Sequence, residues 1–215
     1  MRIISGYAKG RKLFTPPAGD NSIRPTSDRA REALFSIIGE QVQGAAVLDL
    51  FAGTGAFGCE ALSRGAKSIC FVDFYPSALE LIGQNLQVCM DAFANHQKKL
   101  ADNTLTLATR DASGPAFLIK HDLRKGLPFF SGKRHFPSSF DLIFLDPPYS
   151  QGLSLQLLQA LDTSSLLHPH ALLIVEDRAK ETLPPHLTSL SLVDQRKYGE
   201  AGFWFYQALP KETPS

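Results

Sequence analysis

Asp146-Pro147-Pro148-Tyr149 places a carboxylate, two prolines and a phenol directly after the apolar run 142–145. The run reads as a buried strand. The prolines have no N–H to give a sheet and cannot sit inside a helix, so they end it. What remains is an acceptor-rich group at a strand's carboxyl end, where ligands of open α/β sheets collect. A planar amine suits it: two N–H donors can point at Asp146 and at the Pro147 carbonyl while the ring lies on Tyr149. Alone, the four residues read equally well as a strand followed by a proline turn with Asp146 as local cap.

A second constellation lies about a hundred residues upstream. The buried-strand pattern 45–50 contains Asp49 and runs into Phe51-Ala52-Gly53-Thr54-Gly55-Ala56-Phe57-Gly58, then into a helical stretch. Strand, glycine loop and helix bring backbone close to a ligand without intervening Cβ atoms. The next apolar run, 68–72, ends in Asp73, an acid placed to hold ribose hydroxyls. Gly53, Gly55 and Gly58 also satisfy the dinucleotide pattern G-x-G-x-x-G, so a nicotinamide enzyme is a competing reading. Asp49 argues against it, because a carboxylate beside the loop is costly unless it meets a cation, as the amino end of a methionine moiety would supply.

Charge is uneven along the chain. Residues 1–31 carry Arg2, Lys9, Arg11, Lys12, Arg24, Arg29 and Arg31 against only Asp20 and Asp28, although the whole chain is +1. A basic patch interleaved with turn glycines, Tyr7 and a capped helix points to a polyanion docking on one face, although basic runs are generally solvated tails. Residues 2–13 suggest a short hairpin with glycine turns. Thr26 or Ser27 can cap the helix that follows, with Asp28 in its first turn where the dipole favours it.

Asp49-Leu50-Phe51-Ala52-Gly53-Thr54-Gly55 resembles the first motif of class I methyltransferases that use S-adenosylmethionine. Asp146-Pro147-Pro148-Tyr149 resembles the fourth motif of the branch that methylates exocyclic amines of bases or a glutamine amide. The opening residues 2–13, followed by Arg24-Pro25-Thr26 and Asp28-Arg29-Ala30-Arg31-Glu32, closely resemble the 16S rRNA guanine-N2 methyltransferase (RsmD) family. The resemblance implies that Asp49, Phe51, Gly53 and Gly55 serve the methionine end of S-adenosylmethionine, Asp73 its ribose and Asp111 its adenine. It also implies that Asp146 to Tyr149 grip the target amine, and that the basic opening holds 16S rRNA in the small ribosomal subunit or an assembly intermediate. Rivals are an adenine-N6 DNA methyltransferase, a protein glutamine methyltransferase and a non-enzymatic RNA-binding ribosome-assembly module. Residues 123–139 depart from the family pattern as a basic, aromatic insertion, either an extra RNA contact by stacking or a surface loop.

The elements needed to position these residues alternate. Strands are expected near 45–50, 68–73, 105–109, 140–145, 171–176, 190–194 and 202–209, and helices near 28–38, 57–64, 77–90 and 152–161. The pattern predicts an α/β, Rossmann-like class I methyltransferase: a seven-stranded, mostly parallel sheet with helices on both faces and an antiparallel hairpin at its edge. A basic hairpin and helix over 1–39 would extend a methyltransferase domain over 40–215. No apolar run approaches the roughly 20 residues of a membrane span. Cys59, Cys70 and Cys89 lack metal or disulfide spacing. A cytoplasmic monomer with no metal site is expected.

Overall fold

The computed structural model describes residues 1–17, 27–101, 116–130, 136–149 and 151–210. Four α-helices, α1 Asp28–Ile38, α2 Ala56–Ser63, α3 Pro76–Ala101 and α4 Leu153–Asp162, surround seven strands. The strands are β1 Ala46–Leu50, β2 Ser68–Asp73, β3 Ala116–Lys120, β4 Phe140–Leu145, β5 Leu167–Arg178, β6 Leu190–Tyr198 and β7 Ala201–Ala208. Their order in the sheet is β3-β2-β1-β4-β5-β7-β6. The first five are parallel, and β7 runs antiparallel between β5 and β6. The expected sheet and its edge hairpin are therefore present.

Both faces of the parallel strands are apolar because both are covered. On one face Phe35 of α1, Phe57 of α2 and Ile82 of α3 join Val47, Phe71, Phe144 and Ile174. Phe57 stacks on Phe144 with ring centroids 4.2 Å apart and on Phe35 at 4.9 Å. The close approach of α2 to the sheet needs Gly58, where a Cβ would lie 2.3 Å from a Phe71 ring carbon. This third glycine of the loop pattern therefore serves helix–strand packing. On the other face Leu157, Leu158 and Leu161 of α4 pack on Ile143, Leu145, Leu173, Val175 and Trp204.

Two expectations are corrected. The strand beside β2 is Ala116–Lys120, which the pattern did not mark, while 105–109 lies outside the described residues. Helix α3 continues to Ala101, past the expected end near 90. The second correction concerns 123–139. Leu123 and Phe130 are core residues, and Phe136 sits 4.7 Å from Phe117 and 5.4 Å from Phe130, centroid to centroid. The described aromatic residues of this segment serve mainly to cover β3 and β4, and among them Phe129 is the broadly exposed one.

The opening residues form a hairpin-like loop with one bridge, Arg2 to Lys12. Ile3, Ala8 and Leu13 enter the same apolar cluster as α1, α2 and the sheet, so 1–39 is not packed apart from the rest. Polar staples fix it to α2. The Ile4 and Ser5 N–H groups donate to Glu60 at 2.7 and 3.0 Å, and the Ala8 N–H donates to Ser63 Oγ at 2.9 Å. Ser27 caps α1, its Oγ accepting the Ala30 N–H at 3.2 Å.

Candidate active site

The carboxyl ends of β1, β2, β4 and β5 open into one cavity of about 960 Å³. Backbone hydrogen bonds draw these ends together: the Ala52 N–H donates to the Val72 carbonyl at 3.1 Å and the Asp146 N–H to the Leu50 carbonyl at 3.3 Å. A volume of this size suits a cofactor-sized ligand together with a substrate group.

The glycine loop forms one wall. Phe51 and Gly53 line the cavity and both have positive φ, +61° and +55°. Asp73 tightens the loop. Its Oδ2 accepts the Gly53 N–H at 2.8 Å and its Oδ1 accepts the Tyr75 N–H at 3.0 Å, which leaves lone pairs of a buried carboxylate on the cavity wall. Beyond it the Phe74 and Tyr75 rings stand 5.5 Å apart at 73°, and with His121, Asp122 and Leu123 they line the same cavity. Asp49 and Gly55 lie beneath this wall. Asp49 is buried, and its Oδ2 accepts the Gly58 N–H at 3.2 Å. Burial holds its carboxyl well above the usual carboxylate range; the Gly58 N–H opposes the shift and the charge of Asp73 adds to it. Gly55 caps α2 with φ +71°, and a Cβ there would press on Ile82 at 3.0 Å. Both residues shape the loop from below.

Asp111 lies outside the described residues. The position after the third strand, for which Asp111 was the expected acid, is occupied by Asp122, which lines the cavity. Asp122 is paired with Arg124, whose Nε lies 2.7 Å from Oδ1, and this pairing keeps the Asp122 carboxyl below its ordinary range. The Arg124 guanidinium in turn covers the Phe74 ring at 5.2 Å.

Asp146, Pro147, Pro148 and Tyr149 line the same cavity. The Tyr149 hydroxyl donates to Glu176 Oε1 at 3.1 Å, which fixes the ring. Glu176 ends the apolar strand pattern of β5 just as Asp73 and Asp146 end or follow theirs, so the same signal could have marked it. Phe74, Tyr75 and Asp122 are further lining residues that the sequence pattern did not single out.

The expected basic set divides. Arg2, Lys9, Arg11 and Lys12 are exposed, and Arg29 is exposed at the cavity mouth beside Arg178 and Lys197. Arg24 lies outside the described residues. Arg31 is corrected: it is 1% exposed, and its Nη2 donates to the Arg2 carbonyl at 2.5 Å and to Asp28 Oδ1 at 3.0 Å. Its position on the inner face of α1 makes it part of the scaffold and keeps it from phosphate. Lys9 and Arg11 sit near the loop tip, where the Tyr7 N–H donates to the carbonyl of Ser63, the last residue of α2. They are thus roughly 12 Å along the helix from the glycine loop.

Comparison with known proteins agrees with this geometry. The family described as conserved hypothetical protein 95 matches residues 1–119 and 118–207. The ribosomal RNA small subunit methyltransferase D of Haemophilus influenzae is 31% identical over 208 residues, covering 96% of this chain and 93% of that protein. Its Escherichia coli K12 counterpart of the same name is 30% identical over 207 residues, covering 96% and 89%. The solved structure of yhhF from Escherichia coli superposes with a TM-score of 0.69 at 28% identity, covering 98% and 99%. The glycine loop, Asp73 and the Asp146–Tyr149 group share one cavity in a Rossmann-like sheet, and the chain belongs to the conserved hypothetical protein 95 (RsmD) family of ribosomal RNA methyltransferases.

Proposed function

We propose that the chain transfers a methyl group from S-adenosylmethionine to the exocyclic N2 amine of one guanine in 16S rRNA of the small ribosomal subunit. The observation that carries the reading is the placement of Asp146 to Tyr149 in the same cavity as Gly53 and Asp73. The cradle fits the cofactor. Gly53 offers backbone without a Cβ, the Asp73 carboxylate would hold the ribose hydroxyls, and Phe74, Tyr75 and Asp122 would flank the adenine. When bound, S-adenosylmethionine supplies an electrophilic methyl group.

The chain's own residues make the amine ready. A guanine N2 lone pair is delocalised into the ring. The Asp146 carboxylate and the Pro147 carbonyl accept its two hydrogens, which favours a more pyramidal, more nucleophilic nitrogen. Tyr149, anchored by Glu176, stacks on the base. Orientation of this kind is worth roughly 7–11 kcal/mol of barrier, and Asp146 faces the positive charge that develops on nitrogen. The base must first leave its stack, at a cost of a few kcal/mol. Arg29, Arg178 and Lys197 at the mouth would offset that by gripping the flanking phosphates.

Methyl transfer from labelled S-adenosylmethionine to small subunits lacking the modification, followed by nucleoside analysis, tests the reading. Label in N2-methylguanosine is expected; label only in DNA or in another nucleoside would overturn it. Replacing Gly53 by valine puts a branched side chain at φ +55°, which is strained by roughly 1–3 kcal/mol, and adds bulk to the cavity wall. Calorimetry should show at least a thirtyfold loss of cofactor affinity, and an unchanged affinity would refute the loop's role. Replacing Arg29 and Lys197 together by glutamate should weaken RNA binding and lower the salt slope by about 0.7–0.9 per lost phosphate contact. An unchanged slope would move the docking face elsewhere.

A further inference from the structure

We propose that Tyr198 stacks on a base next to the target guanine and so holds the RNA strand that flanks the extruded nucleotide, an inference that rests on the guanine-amine reading above. Tyr198 ends β6, and its pairing with Ala201 closes a turn of two residues, Gly199 and Glu200. Gly199 takes φ +63° at the first turn position, as a tight hairpin demands. The turn fixes the backbone of Tyr198, and the buried Phe203 steadies its ring in a T-shaped contact, centroids 5.7 Å apart at 65°. Tyr198 is nevertheless 37% exposed and lines the cavity. A fixed aromatic ring partly open to water is what a stacking platform for single-stranded nucleic acid needs. As mere cover for Phe203, an aliphatic side chain would serve as well.

The strand register supplies the path. Arg178 of β5 pairs with Ala201 of β7, which pairs in turn with Tyr198 of β6. The three lie in one row across the carboxyl edge, and directly paired residues share a face of the sheet. At about 4.8 Å between neighbouring strands, Tyr198 stands roughly 10 Å across the sheet from Arg178 and roughly 14 Å from β4, which leads into Asp146. The nucleotides beside an extruded base can bridge such a distance. All three residues line the cavity, as do Arg29, Ala30 and Ala33 of α1. The small alanine side chains leave room for a flat ring, and Arg29 and Arg178, both exposed, suit the linking phosphates. The proposed adenine neighbours Phe74 and Asp122 follow β2 and β3, on the other side of β1 from β4, so this path leads away from the cofactor half. Extruding the guanine takes it from between its stacked neighbours. Tyr198 gives one neighbour a replacement partner.

The experiment measures methyl transfer to small subunits lacking the modification by wild type, Tyr198→Leu, Tyr198→Phe and Tyr198→Trp, with cofactor affinity and melting temperature on each. Leucine keeps an apolar contact for Phe203 but has no ring. Tyr198→Leu should raise KM for the subunits about tenfold, the worth of one stacked base. Its kcat and cofactor affinity should stay within threefold, and its binding should keep the wild-type salt slope, because no charge is lost. Tyr198→Phe retains the ring and should restore most of the affinity. In Tyr198→Trp the added indole should be quenched when subunits bind, beyond any change that Trp204 shows in wild type. If Tyr198→Leu leaves KM within twofold, or the added indole is not quenched, Tyr198 serves only to cover Phe203 and the proposal is overturned. Equal losses in Tyr198→Phe and Tyr198→Leu would assign the effect to the hydroxyl and overturn it too. Guanine label from wild type alongside such results leaves the function reading standing. Wild-type label on something other than guanine would overturn that reading itself, and the stacking role with it.

Discussion

Asp146→Ala is expected to lower methyl transfer by roughly 10²–10³-fold, the range seen when a preorganised group facing developing charge is removed. Cofactor affinity should stay within a few-fold. The basis of that separation is geometric. Asp146 follows β4, on the wall carrying Pro147 and Tyr149, whereas Gly53 and Asp73 belong to the loop and strand end of β1 and β2. Alanine removes the acceptor for one amine hydrogen and the charge opposite the nitrogen, and leaves the glycine loop untouched. Asp146→Asn keeps an acceptor oxygen but loses the charge, so its deficit should fall between wild type and alanine. Single-turnover transfer to unmodified small subunits, with cofactor binding followed by calorimetry, separates the two effects. A variant that fails to bind the cofactor would show that Asp146 shapes the loop instead of holding the amine.

Glu60→Ala is expected to destabilise the fold by about 3–5 kcal/mol, the cost of leaving a buried charge without its partner. Glu60 is fully buried and accepts the Ile4 and Ser5 N–H groups at 2.7 and 3.0 Å and Arg64 Nε at 2.7 Å. Arg31 Nε lies 3.9 Å from its other side, itself 1% exposed. Alanine would orphan two backbone donors and strip a counter-charge from a guanidinium that has no access to water. Because these bonds staple residues 1–13 to α2, the amides of Ile4 and Ser5 should lose their protection from hydrogen exchange first. Denaturant titration with an unchanged slope reads the stability loss. A drop below about 1 kcal/mol would mean that the apolar contacts of Ile3 and Leu13 hold the segment by themselves. The same packing means that deleting residues 1–31 would remove core, so RNA docking is better probed by single charge changes on the exposed positions.

Much of the site was readable because its residues lie at strand ends. A buried strand announces itself as a short apolar run, and an acid, glycine or proline directly after it must sit at the sheet's carboxyl edge whatever the rest of the chain does. Asp73, Gly53 and the Asp146–Tyr149 group follow that rule, and so do β1, β2 and β4 that carry them. The edge hairpin was readable for a related reason: no helix separates β6 from β7, so they can only pair antiparallel.

The rest depends on what meets what across the chain, which local pattern does not encode. Glu176 and Tyr149 are 27 residues apart and touch only because β5 lies beside β4. Arg31 reads as one more cation of a basic opening; its place on the buried face of α1, against Glu60, turns it into scaffold. Phe130 reads, with Phe129, as a stacking residue of a surface loop until β3 and β4 provide a surface for it. The strand beside β2, Ala116–Lys120, and Asp122 after it were not marked by the local pattern, and the expected 105–109 and Asp111 lie outside the described residues. The sequence alone determined most of the element order and the candidate groups at the strand ends, since periodicity and chain-breaking residues act within a few positions. Only the tertiary structure decided which charges are buried partners and which stay exposed, because burial and pairing are properties of neighbours far apart in the chain.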